Sequence, residues 1–287
     1  MNFEIAPAGI DPSAWAGSAG DTPRVGDLWL LSWNRQTLGL ALVARAAASF
    51  ALVWPVALPS EPIFPPAMVV PDSPLGVSLA VWPTRETGVG NHLFHRRLGE
   101  LVSERSILRT MQFIEGDPVE APFALAEPNV DEGDFHAESD AMIDRWEAIC
   151  LHLWPNPSPG QTQLSRSTME RVGAGIEELI EALGLTTPDA VAMMRGERLP
   201  DLGELETLAL SLEVDPIDLI TAPVSDSLLS SPKFKDELVD AALELAIDEA
   251  TFRNLVQQDF ALAARSDGDP SAQLRAAIAR VREIGRA

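Results

Sequence analysis

Three clusters in this sequence have residue types and spacings that could carry chemistry. The first is His92-x-x-His95 with Arg96, Arg97, Arg105 and Arg109, the basic neighbourhood of the N-terminal half. On a helix, residues three apart share a face, so two histidines so placed could hold a metal or contact a phosphate. No further Cys or His lies near in sequence, and Glu100 and Glu104 interleave with the arginines, which fits a solvated helix face. The second is Cys150-Leu-His152. A Cys/His pair needs a third group to orient the base, and no Asp or Asn arrangement supplies one. Cys150 instead flanks the apolar stripe Met142, Ile143, Trp146, Ile149, Leu153 and Trp154, the spacing of an amphipathic helix. The third runs from 117 to 140 and holds Asp131, Glu132, Asp134, Glu138 and Asp140 among prolines 118, 122 and 128. It lacks the alternating ligands and turn glycine of a calcium loop, so an acidic, mobile connector is expected. A nucleic-acid-mimicking surface that occupies a basic partner is the alternative.

Composition narrows the classes. The chain has 287 residues, room for two domains, and a net charge of −22. By segment the net charge is −2 over 1–116, −9 over 117–165, −8 over 166–222 and −3 over 223–287. No segment has the basic footprint of strong phosphate binding, which weighs against non-specific nucleic-acid affinity. The single cysteine excludes an internal disulfide, and no metal site or cofactor is implied. No run of about 18 uncharged apolar residues appears, and the first residues lack the basic-then-apolar order of a signal peptide. The expectation is a soluble, cytoplasmic protein that does not engage a membrane.

These clusters must be positioned by the elements around them. Residues 1–22 show little periodicity and read as a loosely held arm. Asp27–Trp33, Leu38–Arg45, Ser49–Val56, Ala67–Val70 and Val77–Trp82 are apolar runs of strand length separated by turn residues. Five short strands with tight turns suggest a small antiparallel barrel. From Leu93 the spacing Leu93, Phe94, Leu98, Leu101, Val102, then Ile107, Leu108, Met111 and Ile114, predicts one or two helices packed on it.

The order Gly26-Asp27-Leu-Trp-Leu-Leu, loop, apolar strand, then Val-Trp-Pro-Val resembles the PemK/MazF family of growth-inhibitor toxins over residues 24–114. That resemblance implies an SH3-like barrel and metal-independent RNA cleavage. The family's loop ends in Gly-x-Arg-Pro, whose arginine serves the scissile phosphate. Here the matching place reads Gln36-Thr37-Leu38-Gly39, and the family's Pro-Val-Thr reads Pro55-Val56-Ala57. Without a cation or hydroxyl donor the pentavalent phosphate goes unstabilised, leaving Arg35 as a weak catalytic candidate.

Pro155–Gly160 marks a domain boundary. Beyond it, Met169, Val172, Ile176, Leu179, Ile180 and Leu183 follow a helical period, and Gly184 ends that helix. Thr186 or Thr187 caps the next, with Pro188 and Asp189 in its first turn, until Gly196 closes it. Together with Arg195-Gly-x-Arg198-x-Pro200 and the leucine pattern through Pro216, this resembles the Xre/Cro helix-turn-helix family over about 170–220. The resemblance places Thr186, Thr187, Asp189, Ala192, Met193, Arg195 and Arg198 at DNA. None of the helix's leading residues is an Arg, Asn or Gln, the types suited to bidentate base contacts. Glu177, Glu178 and Glu181 add negative charge, so a protein-binding or dimerisation module is a serious competitor to a DNA reader.

The tail predicts three helices, the last with a basic face of Arg275, Arg280, Arg282 and Arg286 that could add phosphate contacts. Their apolar stripes could close on the helix-turn-helix or on a second copy of the chain. The sequence thus predicts an α+β chain. It comprises an arm (1–22), an SH3-like barrel plus helix (23–116), an acidic connector with an amphipathic helix and Pro-rich linker (117–164), a helix-turn-helix (165–222) and a helical extension (223–287). The expected function is a non-enzymatic regulator of toxin–antitoxin-related architecture that binds operator DNA, a protein partner such as a toxin or effector, or both, as a homodimer. The alternatives are a ribonuclease restrained by its C-terminal half and a scaffold that touches no nucleic acid.

Overall fold

The computed structural model describes residues 5–20, 22–47, 49–152, 154, 163–195, 198–221, 228–263 and 269–286. It is mixed α+β, and the chain divides into two compact units. The larger comprises 1–46, 50–154 and 228–287, and the smaller 47–49 and 155–227. The expected boundary at Pro155–Gly160 lies outside the described residues, as does Gly196.

The larger unit is built on a curled antiparallel half-barrel. Its strands are β1 (Asp27–Trp33), β2 (Gln36–Ala46), β3 (Phe50–Ala57), β4 (Met68–Val70), β5 (Leu79–Val81), β6 (Thr87–Gly90) and β7 (Phe94–Glu100). Their order is β4-β5-β3-β2-β1-β7, with β6 also on β3. The β1–β2 hairpin turns on Asn34 and Arg35, both at positive φ (47° and 62°), the twist a two-residue loop needs. The strands are near-continuous apolar runs because both faces of the sheet are buried. Leu28, Leu30, Leu40, Leu42 and Trp54 point into one core with Trp15 and Ile107. Trp29, Leu31, Ala41, Val43 and Phe94 point into another, closed by Trp146 and Ile149. Those two residues belong to α3 (Phe135–Cys150).

Four sequence expectations change. The arm is tied down: α1 (Pro12–Ala16) buries Trp15, and Ser18 exchanges backbone hydrogen bonds with Arg97 (3.0 and 2.9 Å). Residues 94–100 form a strand, and helix begins only at α2 (Glu104–Glu115). Two register shifts against β1 break the period of two in β7, which is why its apolar spacing imitates a helix. The acidic stretch is anchored as well, for Val69 donates to Ala124 O and Ala126 to Ala67 O (both 2.9 Å), covering the β4 edge. Asn129 adds side-chain bonds to Ile63, Pro59 and Glu61.

The fourth change concerns the tail. Helices α8 (Lys235–Glu244), α9 (Glu249–Ala263) and α10 (Pro270–Arg286), numbered here in chain order, belong to the larger unit rather than extending the smaller one. Phe234, Leu238, Phe252, Val256, Leu274 and Ile278 make their core, with Trp154 and the half-buried Trp33 of β1 against it. The expected basic face of the last helix is neutralised. Arg275 pairs with Glu237, Arg280 with Asp259, and Arg282 and Arg286 with Glu244, so phosphate contacts from these arginines would have to break existing pairs.

In the smaller unit a two-stranded ribbon, β8 (Gln163–Leu164) with β9 (Ile220–Thr221), precedes and follows four helices. They are α4 (Arg166–Val172), α5 (Ile176–Leu183), α6 (Thr187–Met194) and α7 (Leu202–Leu212). Each start has a local cause: Ser165 caps α4, Glu178 closes a box onto the Gly175 amide, Thr186 caps α6, and Asp201 with Glu204 box α7. Gly184 ends α5 at φ 64°, as its position predicts. Met169, Leu179, Ala190, Met193, Leu208 and Leu219 fill the centre.

Candidate functional site

The densest concentration of polar chemistry lies in the larger unit, where the C-terminal helices meet β1 and β7. Lys235, at the start of α8, is fully buried. Its Nζ donates to the carbonyls of Ser32 (3.0 Å) and His92 (2.8 Å) and to Glu249 Oε1 (2.6 Å). Arg253, also fully buried, donates through Nε (3.0 Å) and Nη2 (2.7 Å) to the same oxygen, and through Nη1 to Leu229 O. Glu249 spends its second oxygen on the Asn34 amide (3.1 Å), while Asn34 Oδ1 accepts the Glu249 amide (2.8 Å). The two cations also stand over tryptophans: Lys235 over Trp33 at 4.9 Å, and Arg253 over Trp33 and Trp154 at 5.7 and 5.2 Å. Burial lowers the Lys235 pKa to about 8 against the pull of Glu249. Burial alone would raise the Glu249 carboxyl, but Lys235 and Arg253 outweigh it and hold it below its ordinary value.

Next to this triad runs a chain of Ser, His and Asp. Ser32 Oγ lies 2.8 Å from His95 Nδ1, and His95 Nε2 lies 2.7 Å from Asp236 Oδ1. Burial lowers the His95 pKa, and the bond from His95 lowers that of Asp236. A neutral ring that donates from Nε2 to Asp236 and accepts from Ser32 at Nδ1 satisfies all three groups. The bonding order is that of a nucleophilic triad, but the exposure is reversed. Ser32 is fully buried, whereas the Asp236 side chain is 57% exposed. A nucleophile must reach its substrate, so this chain fastens α8 to the sheet and performs no acyl transfer. His92 is buried too, its Nε2 without a protein partner, and burial holds its pKa well below the ordinary value. The solvated helix face expected for His92 and His95 is therefore corrected: a short 3-10 turn (Asn91–Leu93) holds His92 and β7 holds His95, both rings buried. Arg97 is likewise committed, through two hydrogen bonds (2.7 and 2.5 Å) to buried Asp27.

Cys150 donates to Gly88 O, and burial raises its thiol pKa, the state of a packed rather than a reactive cysteine. Among the described residues no group of three or more His, Cys, Asp or Glu could hold a metal ion. No helix among them is long and apolar enough to cross a membrane.

Arg35 lines a cavity with Val239, Leu243, Asp248 and Glu249. Pro55, Val56 and Ala57 line a different one, with Gly39, Glu61, Arg145 and Trp146. The loop arginine and the Pro-Val-Ala segment thus do not converge on one reacting centre. Arg145 of α3 occupies that neighbourhood instead, donating to Leu38 O from Nε (2.9 Å) and Nη2 (2.6 Å).

In the smaller unit the seven positions expected at DNA divide. Thr186, Thr187, Asp189 and Arg195 are exposed, and Ala192 is half-buried. Met193 is 1% exposed and packs in the core, so its place among the contact residues is corrected. Arg198 binds Glu204 at 2.5 Å and is already paired. Thr186 Oγ1 and Asp189 Oδ2 bond to each other at 2.6 Å.

The sequence reading missed Lys235, Glu249 and Arg253. A signal existed, for Lys235 stands in helical register with Leu238, Val239 and Ala242 on an apolar stripe, and Glu249 and Arg253 are one turn apart. Apolar spacing alone could not say that the stripe closes over β1.

No protein-family model, no curated protein and no solved structure matches this chain.

Proposed function

We propose that this is a non-enzymatic regulator of toxin–antitoxin-related architecture that acts through protein contact. In this reading the curled sheet is an SH3-like barrel related to PemK/MazF toxins that has lost its catalytic groups, and the smaller unit is an Xre/Cro-like helix-turn-helix. The cell compartment is the cytoplasm, and the functional form is a homodimer. The observation that carries the choice of protein over DNA is the surface of α5 and α6. That surface offers Glu177, Glu181 and Asp189 against the exposed Arg195 that ends α6, while Met193 is buried and Arg198 is paired. Carboxylates facing a phosphate backbone are repelled, whereas a basic protein surface complements them.

The test uses the full chain and a triple charge reversal, E177K/E181K/D189K. The wild-type protein should run in cells as part of a stable hetero-complex, and the reversed protein should lose that partner while keeping its helical content. Selection from a random duplex pool at low salt should enrich no sequence. Enrichment of an operator would overturn the protein-contact reading in favour of a DNA-binding regulator. Cleavage of a mixed RNA, abolished by Arg35→Ala, would instead restore the ribonuclease.

A further inference from the structure

A second cleft in the larger unit opens beside the β1–β2 hairpin, between the N-terminal arm, β2 and α3, and encloses about 520 Å³. That size falls within the range of roughly 300–1,000 Å³ typical of small-molecule sites. Its apolar lining is Trp15, Leu40, Leu58 and Ile149, all buried. Each residue has a structural reason to be there: the arm is held by Trp15, and α3 is held by Trp146 and Ile149.

The rim carries one charge of each sign, Arg145 and Glu61, each held by the backbone and joined to the other in a loose, part-exposed ion pair. The guanidinium of Arg145 is oriented by its two bonds to Leu38 O. Its remaining nitrogen, Nη1, pairs with Glu61 Oε1 at 3.7 Å without a hydrogen bond, so a ligand that supplies hydrogen-bonding charges to both can displace the contact. Glu61 is held from its other side, where Oε2 accepts the Leu58 amide at 2.8 Å.

The geometry points to a zwitterion with an apolar body. A plain carboxylate at Arg145 would meet Glu61, and a plain amine at Glu61 would meet Arg145. A molecule carrying both charges satisfies both residues and leaves its apolar part for Trp15, Leu40, Leu58 and Ile149. We infer that this cleft binds an apolar α-amino acid, with its carboxylate on Arg145, its ammonium on Glu61, and its side chain against the apolar lining. The inference is independent of the partner assigned to the smaller unit.

The experiment is calorimetric titration of the full chain with L-phenylalanine and L-leucine, beside 3-phenylpropionate and phenethylamine, which each lack one charge. Saturable single-site binding of the amino acids is expected, with each analogue about tenfold weaker or more, the effect of losing one charge-assisted hydrogen bond. Ala148 is an exposed cleft residue, so Ala148→Trp should block binding without disturbing the core. The assignment fails if the amino acids do not bind saturably, if the single-charge analogues bind equally well, or if Ala148→Trp leaves the titration unaltered.

Discussion

Replacing Glu249 with glutamine tests the buried charge triad most directly. Glu249 Oε1 receives three donors, from Lys235 and from two nitrogens of Arg253, and Oε2 receives the Asn34 amide. Whichever way the glutamine amide is turned, its NH₂ faces a donor, and two cations stay buried without a counter-charge. Removing one partner of a buried pair costs about 3–5 kcal/mol. At roughly 2–4 °C per kcal/mol for a unit of 150–250 residues, the melting temperature should fall by roughly 6–20 °C. Lys235→Met should cost less, because Glu249 keeps Arg253 and the methionine fills the same apolar stripe. The two variants should be compared by urea unfolding, read in tryptophan fluorescence, since Trp33 and Trp154 border the triad. A Glu249→Gln cost below about 1 kcal/mol, or a Lys235→Met cost equal to it, would refute the idea that an uncompensated buried charge sets the penalty.

Two further outcomes follow from individual groups. Lys235 titrates near 8 in the fold and near 10.5 unfolded, so between those values the unfolded chain holds one more proton. Stability of the wild type relative to Lys235→Met should therefore rise with pH across that window, by up to ~3 kcal/mol, and a flat or falling difference would contradict it. Gly26 sits at φ 87°, and an added Cβ would lie 2.0 Å from Val102 O, so Gly26→Ala should cost ~3 kcal/mol or more and lower the larger unit's melting temperature, checked by scanning calorimetry.

Gly26 and Asp27 also show where sequence patterns and function part. These two residues carry much of the PemK/MazF resemblance, and their work in this chain is structural. Gly26 permits the close pass at Val102, and Asp27 is the buried acceptor of Arg97. The α5–α6 pair gives the same lesson. Gly184 and Thr186 punctuate it where the sequence says they must, but the burial of Met193 follows from which side of α6 meets Leu179 and Leu208, and helix signals do not specify that.

What the sequence determined by itself was local. Turn pairs such as Asn34-Arg35, caps such as Thr186 and Asp201, and apolar runs of strand or helix length act through φ preferences and hydrogen bonds a few residues apart. β7 escaped that logic because a strand with two register shifts has no clean period. Only the tertiary structure decided that the C-terminal helices join the sheet, that His95 bonds Asp236 from 141 residues away, and that Lys235 enters the core. Those pairings depend on which apolar stripe covers which sheet face. Stripes of similar width and hydrophobicity are interchangeable until the chain is folded and the buried charges select their partners.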